Sequence, residues 1–239
     1  MVTDQNYRFT SPAGRECILA AARFAAVNPS SRVLDLGCGL GAAACTLARE
    51  FRCRVDALDN RPGFTKIARN SAVEQNVSHL VKIEEVDPLK SDFSEDPYDL
   101  AVLEGGFLNA ASESALMHKI PDWLLSRGWL AFANLIYTVS DIPPEIRLTF
   151  GEPNKVVPNE GKIREMIDSV GLELHYVGMV APSSWDNYYS FVARKLGDKD
   201  GYYSDYLVKT RLHKEIDIFY NQNALQCLGY LFCIARKKN

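Results

Sequence analysis

The fold is decided by one stretch of the sequence, Val33-Leu34-Asp35-Leu36-Gly37-Cys38-Gly39-Leu40-Gly41-Ala42-Ala43-Ala44. Its first four residues form a short apolar run that is typical of a buried parallel strand. Glycines follow at every second position, at Gly37, Gly39 and Gly41, and the alanines after them begin a predicted helix. A strand, a glycine turn and a helix make the first unit of a nucleotide-binding α/β fold.

The residue before this turn bears on the choice of ligand. The spacing of Gly37, Gly39 and Ala42 also satisfies the G-x-G-x-x-G/A pattern of dinucleotide binding. Asp35 ends the strand two residues before the first glycine, and a carboxylate there would repel a pyrophosphate. The same carboxylate would attract the ammonium and sulfonium groups of S-adenosylmethionine. The residues therefore favour that cofactor, and a glycine turn without a ligand stays the alternative reading.

Size and composition limit the classes of protein to consider. The chain of 239 residues, 47% of them hydrophobic, suits one large α/β domain over residues 1–239. A formal charge of −3, with Lys and Arg clustered only at residues 236–238, predicts neither a nucleic acid nor a membrane as a partner. Four scattered histidines predict no metal site. Six cysteines without C-x-x-C spacing, and the lack of an apolar span or leader, predict a cytoplasmic protein.

Two further predicted strands end in acidic residues. Asp59 follows the second strand, eighteen residues beyond Gly41, where it could accept the two ribose hydroxyls of a nucleoside. Its alternative role is to cap the following helix, whose first turn contains Pro62. Asp87 ends the third strand and is followed by a proline, so the sequence is consistent with a role for Asp87 in a turn.

Glu104 is the fourth acidic residue at a strand end, and two glycines follow it directly. Ligands of open α/β sheets bind outside the carboxyl ends of the strands, so we expect a functional role for this carboxylate. Three roles are open: a general base, a binder of a cationic acceptor, or a contact to the methionine part of the cofactor.

Aromatic residues mark two segments outside the predicted core. Tyr7 and Phe9 would anchor an N-terminal arm over the ligand, although a loose tail fits the same residues. A second aromatic stretch, residues 185–189, lies in an insert before the last strand, and a helix is predicted near residues 206–221. Residues 138–159 contain four prolines and are predicted to form a loop.

Together these motifs resemble the class I S-adenosylmethionine-dependent methyltransferases. The resemblance rests on Asp35-x-Gly37-x-Gly39-x-Gly41, Asp59, the acidic turn at residue 87 and the aromatic C-terminal hairpin. The stretches 8–12, 104–105, 185–188 and 228–237 further resemble a bacterial and archaeal subfamily of small-molecule methyltransferases.

The resemblance implies a Rossmann-like fold with a seven-stranded, mostly parallel sheet, an antiparallel last strand and a helical cap inserted between strands six and seven. The core would span about residues 31–181 and 227–239, and the cap about residues 1–30 and 182–226. The implied activity is in-line transfer of a methyl group from S-adenosylmethionine to a small-molecule acceptor, and a homodimer is compatible with it. The alternatives are an NAD-dependent oxidoreductase and a non-catalytic module that binds S-adenosylmethionine.

These arguments give three sets of candidate residues. The predicted cofactor contacts are Asp35, Gly37, Gly39, Gly41, Asp59, Asn60, Phe64, Asp87, Pro88, Glu104 and Gly105. The resemblance implies that Asp87 or its neighbours meet the adenine amino group. The predicted acceptor contacts are Tyr7, Phe9, Asn134, Tyr137, Trp185, Tyr188 and Tyr189. The predicted catalytic residues are Glu104 and Tyr188.

Overall fold

A seven-stranded sheet forms the centre of the structure, a computed structural model that describes residues 9–104, 110–151, 160–197 and 206–239. The strands are β1 (Arg32–Leu36), β2 (Arg54–Asp59), β3 (Val81–Glu85), β4 (Tyr98–Glu104), β5 (Leu124–Tyr137), β6 (Leu172–Met179) and β7 (Leu228–Lys237). Their order across the sheet is β3-β2-β1-β4-β5-β7-β6.

The first strand lies where the strand order reverses. β1 pairs in parallel with β2 on one side and with β4 on the other. Successive connections leave in opposite directions from this point, which opens a crevice at the carboxyl ends of the strands. The stretch that decides the fold therefore also supplies the floor of the candidate site.

The last strand lies inside the sheet. β7 is antiparallel to both of its neighbours, β5 and β6, and its first eight residues are buried. Continuous burial explains why this segment is an almost unbroken apolar run. The predicted seven-stranded sheet with an antiparallel last strand is confirmed.

Helices cover both faces of the sheet. They are α1 (Gly14–Phe24), α2 (Ala42–Phe51), α3 (Pro62–Glu74), α4 (Ala110–Trp123), α5 (Pro144–Phe150), α6 (Glu160–Ser169), α7 (Pro182–Leu196) and α8 (Tyr206–Asn221). One hydrophobic cluster packs α1, α2, α7 and α8 against the sheet, and a second packs α4 and α6 against the other face. No helix among the described residues is both long and apolar enough to cross a membrane.

Two segments depart from the sequence-based prediction. Residues 138–159 were predicted as a loop, but α5 lies within them, with Pro144 in its first turn, where a missing N–H costs nothing. The insert between β6 and β7 contains α7 as well as the predicted helix α8. The sequence signal for α7 was Pro182 at its start and aromatic or aliphatic residues at helical spacing, at positions 185, 189, 192 and 196, all of which are buried.

Candidate cofactor and acceptor site

The glycine turn after β1 has the left-handed backbone that its sequence predicts. Gly37, Gly39 and Gly41 have φ angles of 75°, 54° and 79°. The backbone N–H groups of Gly37 and Cys38 both donate to the Leu58 carbonyl oxygen at 2.8 Å, which fixes the turn to β2. Residues with a Cβ rarely adopt such angles, so glycine is favoured at all three positions.

The second and third glycines serve different neighbours. A Cβ on Gly41 would lie 2.9 Å from Cβ of Ala68, so this glycine permits close packing of α2 on α3. A Cβ on Gly39 would lie 3.2 Å from Oγ1 of Thr10 and 3.9 Å from the Phe64 ring. Gly39 therefore faces the segment that precedes α1, and a side chain there would fill the space above the turn.

Asp35 is buried beneath the turn. Its side chain is 2% exposed, and Oδ2 accepts a 3.1 Å hydrogen bond from the Ala44 backbone N–H at the start of α2. Burial raises the pKa of Asp35 to about 7; the Ala44 hydrogen bond opposes this rise, and the nearby Asp59 charge adds to it. A cation near Asp35 would favour its ionised form.

Asp59 is equally buried, at 2% exposure. Its Oδ2 accepts a 3.0 Å hydrogen bond from the Gly39 N–H, which ties the tip of β2 to the turn. The other donors to this carboxylate all come from Arg61, through its backbone N–H and its guanidinium. Of the two rim residues predicted beside it, Asn60 is exposed and the Phe64 ring lies beneath the Arg61 guanidinium.

Glu104 lies at the end of β4 and contacts the start of α1. Its Oε1 accepts hydrogen bonds from the Ser11 hydroxyl at 2.6 Å and from the Gly14 backbone N–H at 2.9 Å. Burial raises the pKa of Glu104 to about 8, against the effect of these two bonds, and the charge of Asp35 raises it further. Neither bond uses Oε2.

Three acidic side chains thus meet at the carboxyl ends of β1, β2 and β4. The charge of Asp59 raises the pKa of Asp35, and the charge of Asp35 raises that of Glu104, so Asp35 in its ionised form is repelled by both neighbours. A ligand that brings positive charge would relieve this repulsion. Carboxylate oxygens suit the ammonium and sulfonium of S-adenosylmethionine, and a ligand that approaches the Gly39 backbone would lie against Thr10 and Phe64.

The residues predicted to meet the adenine form a turn after β3. Oδ1 of Asp87 accepts a 3.0 Å hydrogen bond from the Leu89 N–H, which caps a short 3₁₀ helix beginning at Pro88. The structure therefore shows Asp87 in the turn role, as a cap of this short helix. Contact with an adenine stays a prediction, because the cap uses only one carboxylate oxygen.

A cavity of about 190 Å³ opens between the segment before α1 and the helix α7. It is lined by Phe9, Ser11, Pro12, Ala13, Gly14, Arg15, Glu16, Ser184, Asn187, Tyr188 and Phe191. Two of the predicted acceptor contacts, Phe9 and Tyr188, therefore lie on the same cavity. Ser11 and Gly14 line this cavity and donate to Glu104, whereas Glu104 itself does not line it.

Trp185 and Tyr189 do not line the cavity. They are 2% and 1% exposed and pack in an aromatic cluster in which Trp185 stacks on Phe219 at 5.7 Å and meets Tyr230 edge-on at 5.8 Å. The structure gives both side chains a packing role between α7, α8 and β7. Their contact with an acceptor stays a prediction, and their i, i+4 spacing on α7 accounts for their shared inward direction.

The remaining candidates are distributed around the carboxyl edge. At the end of β5, Asn134 accepts a 2.8 Å hydrogen bond from the Leu135 N–H. The nearby Tyr137 hydroxyl is buried with no hydrogen-bond partner in the described part of the chain, and burial raises its pKa. Neither residue lines the cavity. Tyr7 and Gly105 lie outside the described residues.

Sequence reasoning missed four residues that shape the site: Thr10, Ser11, Gly14 and Arg61. Ser11 precedes the first helix, where a serine oxygen commonly accepts a backbone N–H, and here it accepts one from Ala13 at 3.2 Å. The sequence contained that signal. It contained none for the pairing of Ser11 with Glu104, which brings together distant parts of the chain.

Comparison with known proteins finds methyltransferases among the proteins similar to this chain. A family model described as a methyltransferase domain matches residues 33–128. Sarcosine/dimethylglycine N-methyltransferase of Halorhodospira halochloris is 26% identical over 198 residues, which are 80% of this chain and 61% of that protein. Glycine/sarcosine/dimethylglycine N-methyltransferase of Actinopolyspora halophila is 25% identical over 108 residues, 45% of this chain and 19% of that protein. The chain thus spans less than two thirds of both curated relatives.

Solved structures extend the likeness to the whole fold. An S-adenosylmethionine-dependent methyltransferase from Thiobacillus denitrificans, in complex with S-adenosylhomocysteine, superposes with a TM-score of 0.77. The match has 20% sequence identity and covers 99% of this chain and 96% of that one. Residues 33–128 therefore match a methyltransferase-domain family model, and the chain as a whole has the fold of the S-adenosylmethionine-dependent methyltransferase from Thiobacillus denitrificans.

Proposed function

We propose that this chain is an S-adenosylmethionine-dependent methyltransferase that acts on a small-molecule acceptor. The observation that carries the proposal is the meeting of three acidic side chains, Asp35, Asp59 and Glu104, around a glycine turn with left-handed backbone. Such an edge suits a ligand that needs close backbone approach and brings positive charge.

The chain's own residues would serve mainly to bind and to position. When bound, S-adenosylmethionine supplies a methyl group on a sulfonium; transfer forms the acceptor–carbon bond, breaks the sulfur–carbon bond and leaves a thioether. Alignment of the two reactants accounts for about 7–11 kcal/mol of barrier reduction in well-oriented systems. Phe9 and Tyr188 would bind the acceptor in the cavity beside α7.

Glu104 is a candidate to receive a proton if the acceptor must lose one. A raised pKa of about 8 suits a group that takes up a proton near neutral pH. Its Oε1 is engaged by Ser11 and Gly14, so any such exchange would involve Oε2 or a shift of the segment before α1. General-base catalysis typically contributes about 10²–10⁴-fold.

The nature of the acceptor is also a proposal. Relatives named as sarcosine and dimethylglycine N-methyltransferases support a small amine. The cavity of about 190 Å³ supports a small molecule; Arg15 and Glu16 at its wall pair with each other at 3.2 Å. A panel of small amines with and without a carboxylate, assayed for release of S-adenosylhomocysteine, tests this choice.

Ligand binding separates this proposal from an NAD-dependent oxidoreductase. In calorimetry, we expect S-adenosylhomocysteine to bind and NADH to give no heat, because buried carboxylates oppose a pyrophosphate. In thermal denaturation, ligand at about 100 times its dissociation constant should add about 2.7 kcal/mol of stability. Binding of NADH alone would refute the proposal, and binding of S-adenosylhomocysteine without turnover on any acceptor would favour a binding module.

A further inference from the structure

The carboxylate of Asp59 is already fully engaged within the chain. Oδ1 accepts from the Arg61 backbone N–H at 2.9 Å and from Arg61 Nε at 2.8 Å. Oδ2 accepts from the Gly39 N–H at 3.0 Å and from Arg61 Nη2 at 2.8 Å. A carboxylate offers about four acceptor positions, so four donors leave no position for a ribose hydroxyl.

The four donors differ in how freely they can leave. The Gly39 N–H is held by the turn, and the Arg61 N–H lies directly before α3, so the backbone fixes both. The guanidinium is the end of a long side chain that is 44% exposed, whereas Asp59 beneath it is 2% exposed. The two guanidinium bonds are therefore the ones that a ligand can displace.

A second contact keeps the guanidinium in this position. Its central carbon lies 3.9 Å from the centroid of the Phe64 ring, a distance typical of a cation–π contact. Phe64 also lies beside the space above Gly39. Arg61 thus covers Asp59 from the solvent side, on the rim where the cofactor is predicted to enter.

We infer that Arg61 is a specificity-determining residue of the cofactor site: its guanidinium occupies the position on Asp59 that a vicinal diol takes, and it leaves when such a diol binds. The inference rests on the proposed function, since it needs a nucleoside ligand at Asp59. Arg61 lowers the affinity for every ligand that must displace it. Ligands without the diol leave the Asp59–Arg61 pair intact and do not meet this cost.

Calorimetry with two probes tests the inference. The probes are S-adenosylhomocysteine and its 2′,3′-dideoxy analogue, which lacks the diol. Arg61→Ala should bind S-adenosylhomocysteine about three- to tenfold more tightly than the unchanged chain, since a charged hydrogen-bonded contact no longer has to break. Its affinity for the dideoxy analogue should stay within about twofold. Arg61→Lys, which cannot form the two-pronged contact, should be intermediate.

Arg69, about two helical turns further along in α3, is a matched control. Among the described residues, the guanidinium of Arg69 donates to the Ile83 carbonyl oxygen at 3.1 Å and makes no contact with Asp59, so Arg69→Ala should change neither affinity. Equal or weaker binding of S-adenosylhomocysteine by Arg61→Ala, or equal gains for both probes, would overturn the inference while leaving the proposed function in place. Failure of the unchanged chain to bind S-adenosylhomocysteine at all would refute the proposed function and this inference with it.

Discussion

Ser11 donates a 2.6 Å hydrogen bond to the Glu104 carboxylate, although the two residues are 93 positions apart in the chain. The bond joins the segment before α1 to the end of β4. Thr10, on the same segment, faces Gly39, and Phe9 and Ser11 line the cavity beside α7. One short segment thus touches the cofactor turn, the candidate catalytic carboxylate and the candidate acceptor cavity.

The stability of the unliganded protein should fall as the pH rises from about 4 to 8. The pKa of Glu104 is raised from 4.5 to about 8, and that of Asp35 from 3.8 to about 7. The folded protein therefore holds protons that the unfolded chain has released, and the stability from this source is lost as the two groups ionise. Glu104→Gln keeps an oxygen acceptor for Ser11 and should flatten the profile by on the order of 1–2 kcal/mol.

Urea unfolding at several pH values measures this profile. Glu145→Gln on α5 is the control, because Glu145 is exposed and far from the carboxylate cluster in sequence. An unchanged slope in Glu104→Gln would mean that folding does not raise the pKa of Glu104.

The second and third glycines of the turn should fail in different ways when substituted. Gly39→Val should abolish binding of S-adenosylhomocysteine, because the side chain fills the space above the turn. Gly41→Ala should instead destabilise the fold, by about 1–3 kcal/mol, since its Cβ meets Ala68 and its φ is 79°. Calorimetry and thermal denaturation of both variants separate the two effects.

Gly63→Ala is the matched control for both variants, because a Cβ there meets nothing within 4 Å. If a folded Gly39→Val variant keeps its affinity for S-adenosylhomocysteine, the glycine turn is not part of the cofactor site.

Substitution of Trp185 should lower the stability of the fold, whereas substitution of Tyr188 should lower turnover. Trp185→Ala should destabilise the protein by about 3–5 kcal/mol, since its buried ring stacks on Phe219. Tyr188→Ala should leave the affinity for S-adenosylhomocysteine within about threefold and lower turnover, because Tyr188 lines the cavity. If Tyr188→Ala keeps full turnover, the acceptor binds outside the cavity beside α7.

Hydrogen exchange can show whether the two walls of the cavity respond to the cofactor together. We expect residues 9–14 and 184–191 to gain protection on addition of S-adenosylhomocysteine, because Thr10 faces the turn and both segments line one cavity. Residues in β5, already paired on both sides, provide an internal reference. Protection confined to the turn would mean that cofactor and acceptor sites are uncoupled.

Local chemistry made the sheet and the turn predictable from sequence. Three alternate glycines after an apolar run specify a left-handed turn, and an aromatic, unbroken apolar run specifies β7. The role of Trp185 was not predictable from its aromatic character, which suits a pocket and a core equally. Its helical spacing to Tyr189, at i+4, was the more informative signal.

The side-chain partners of the carboxylates were not predicted from sequence, one of them being local and the other distant in the chain. Asp59 was predicted to face a ribose, yet its partner in the structure is the side chain of Arg61, two residues away. Glu104 was predicted to face a ligand, yet its partner is Ser11. In both cases the residue type and strand end were predictable, whereas the side-chain partner depended on which cation or hydroxyl the folded chain brings into reach.

The interior position of β7 has a consequence for how the protein is made. In the described part of the chain, β6 pairs with β7 alone, so β6 stays without a ladder partner until the later strand has left the ribosome. The ring of Trp185 on α7 likewise meets Tyr230 of β7. A nascent chain can therefore build β1 to β5 and the glycine turn early, while the wall beside α7 forms only after synthesis reaches β7. The candidate cofactor site would then form before the candidate acceptor site.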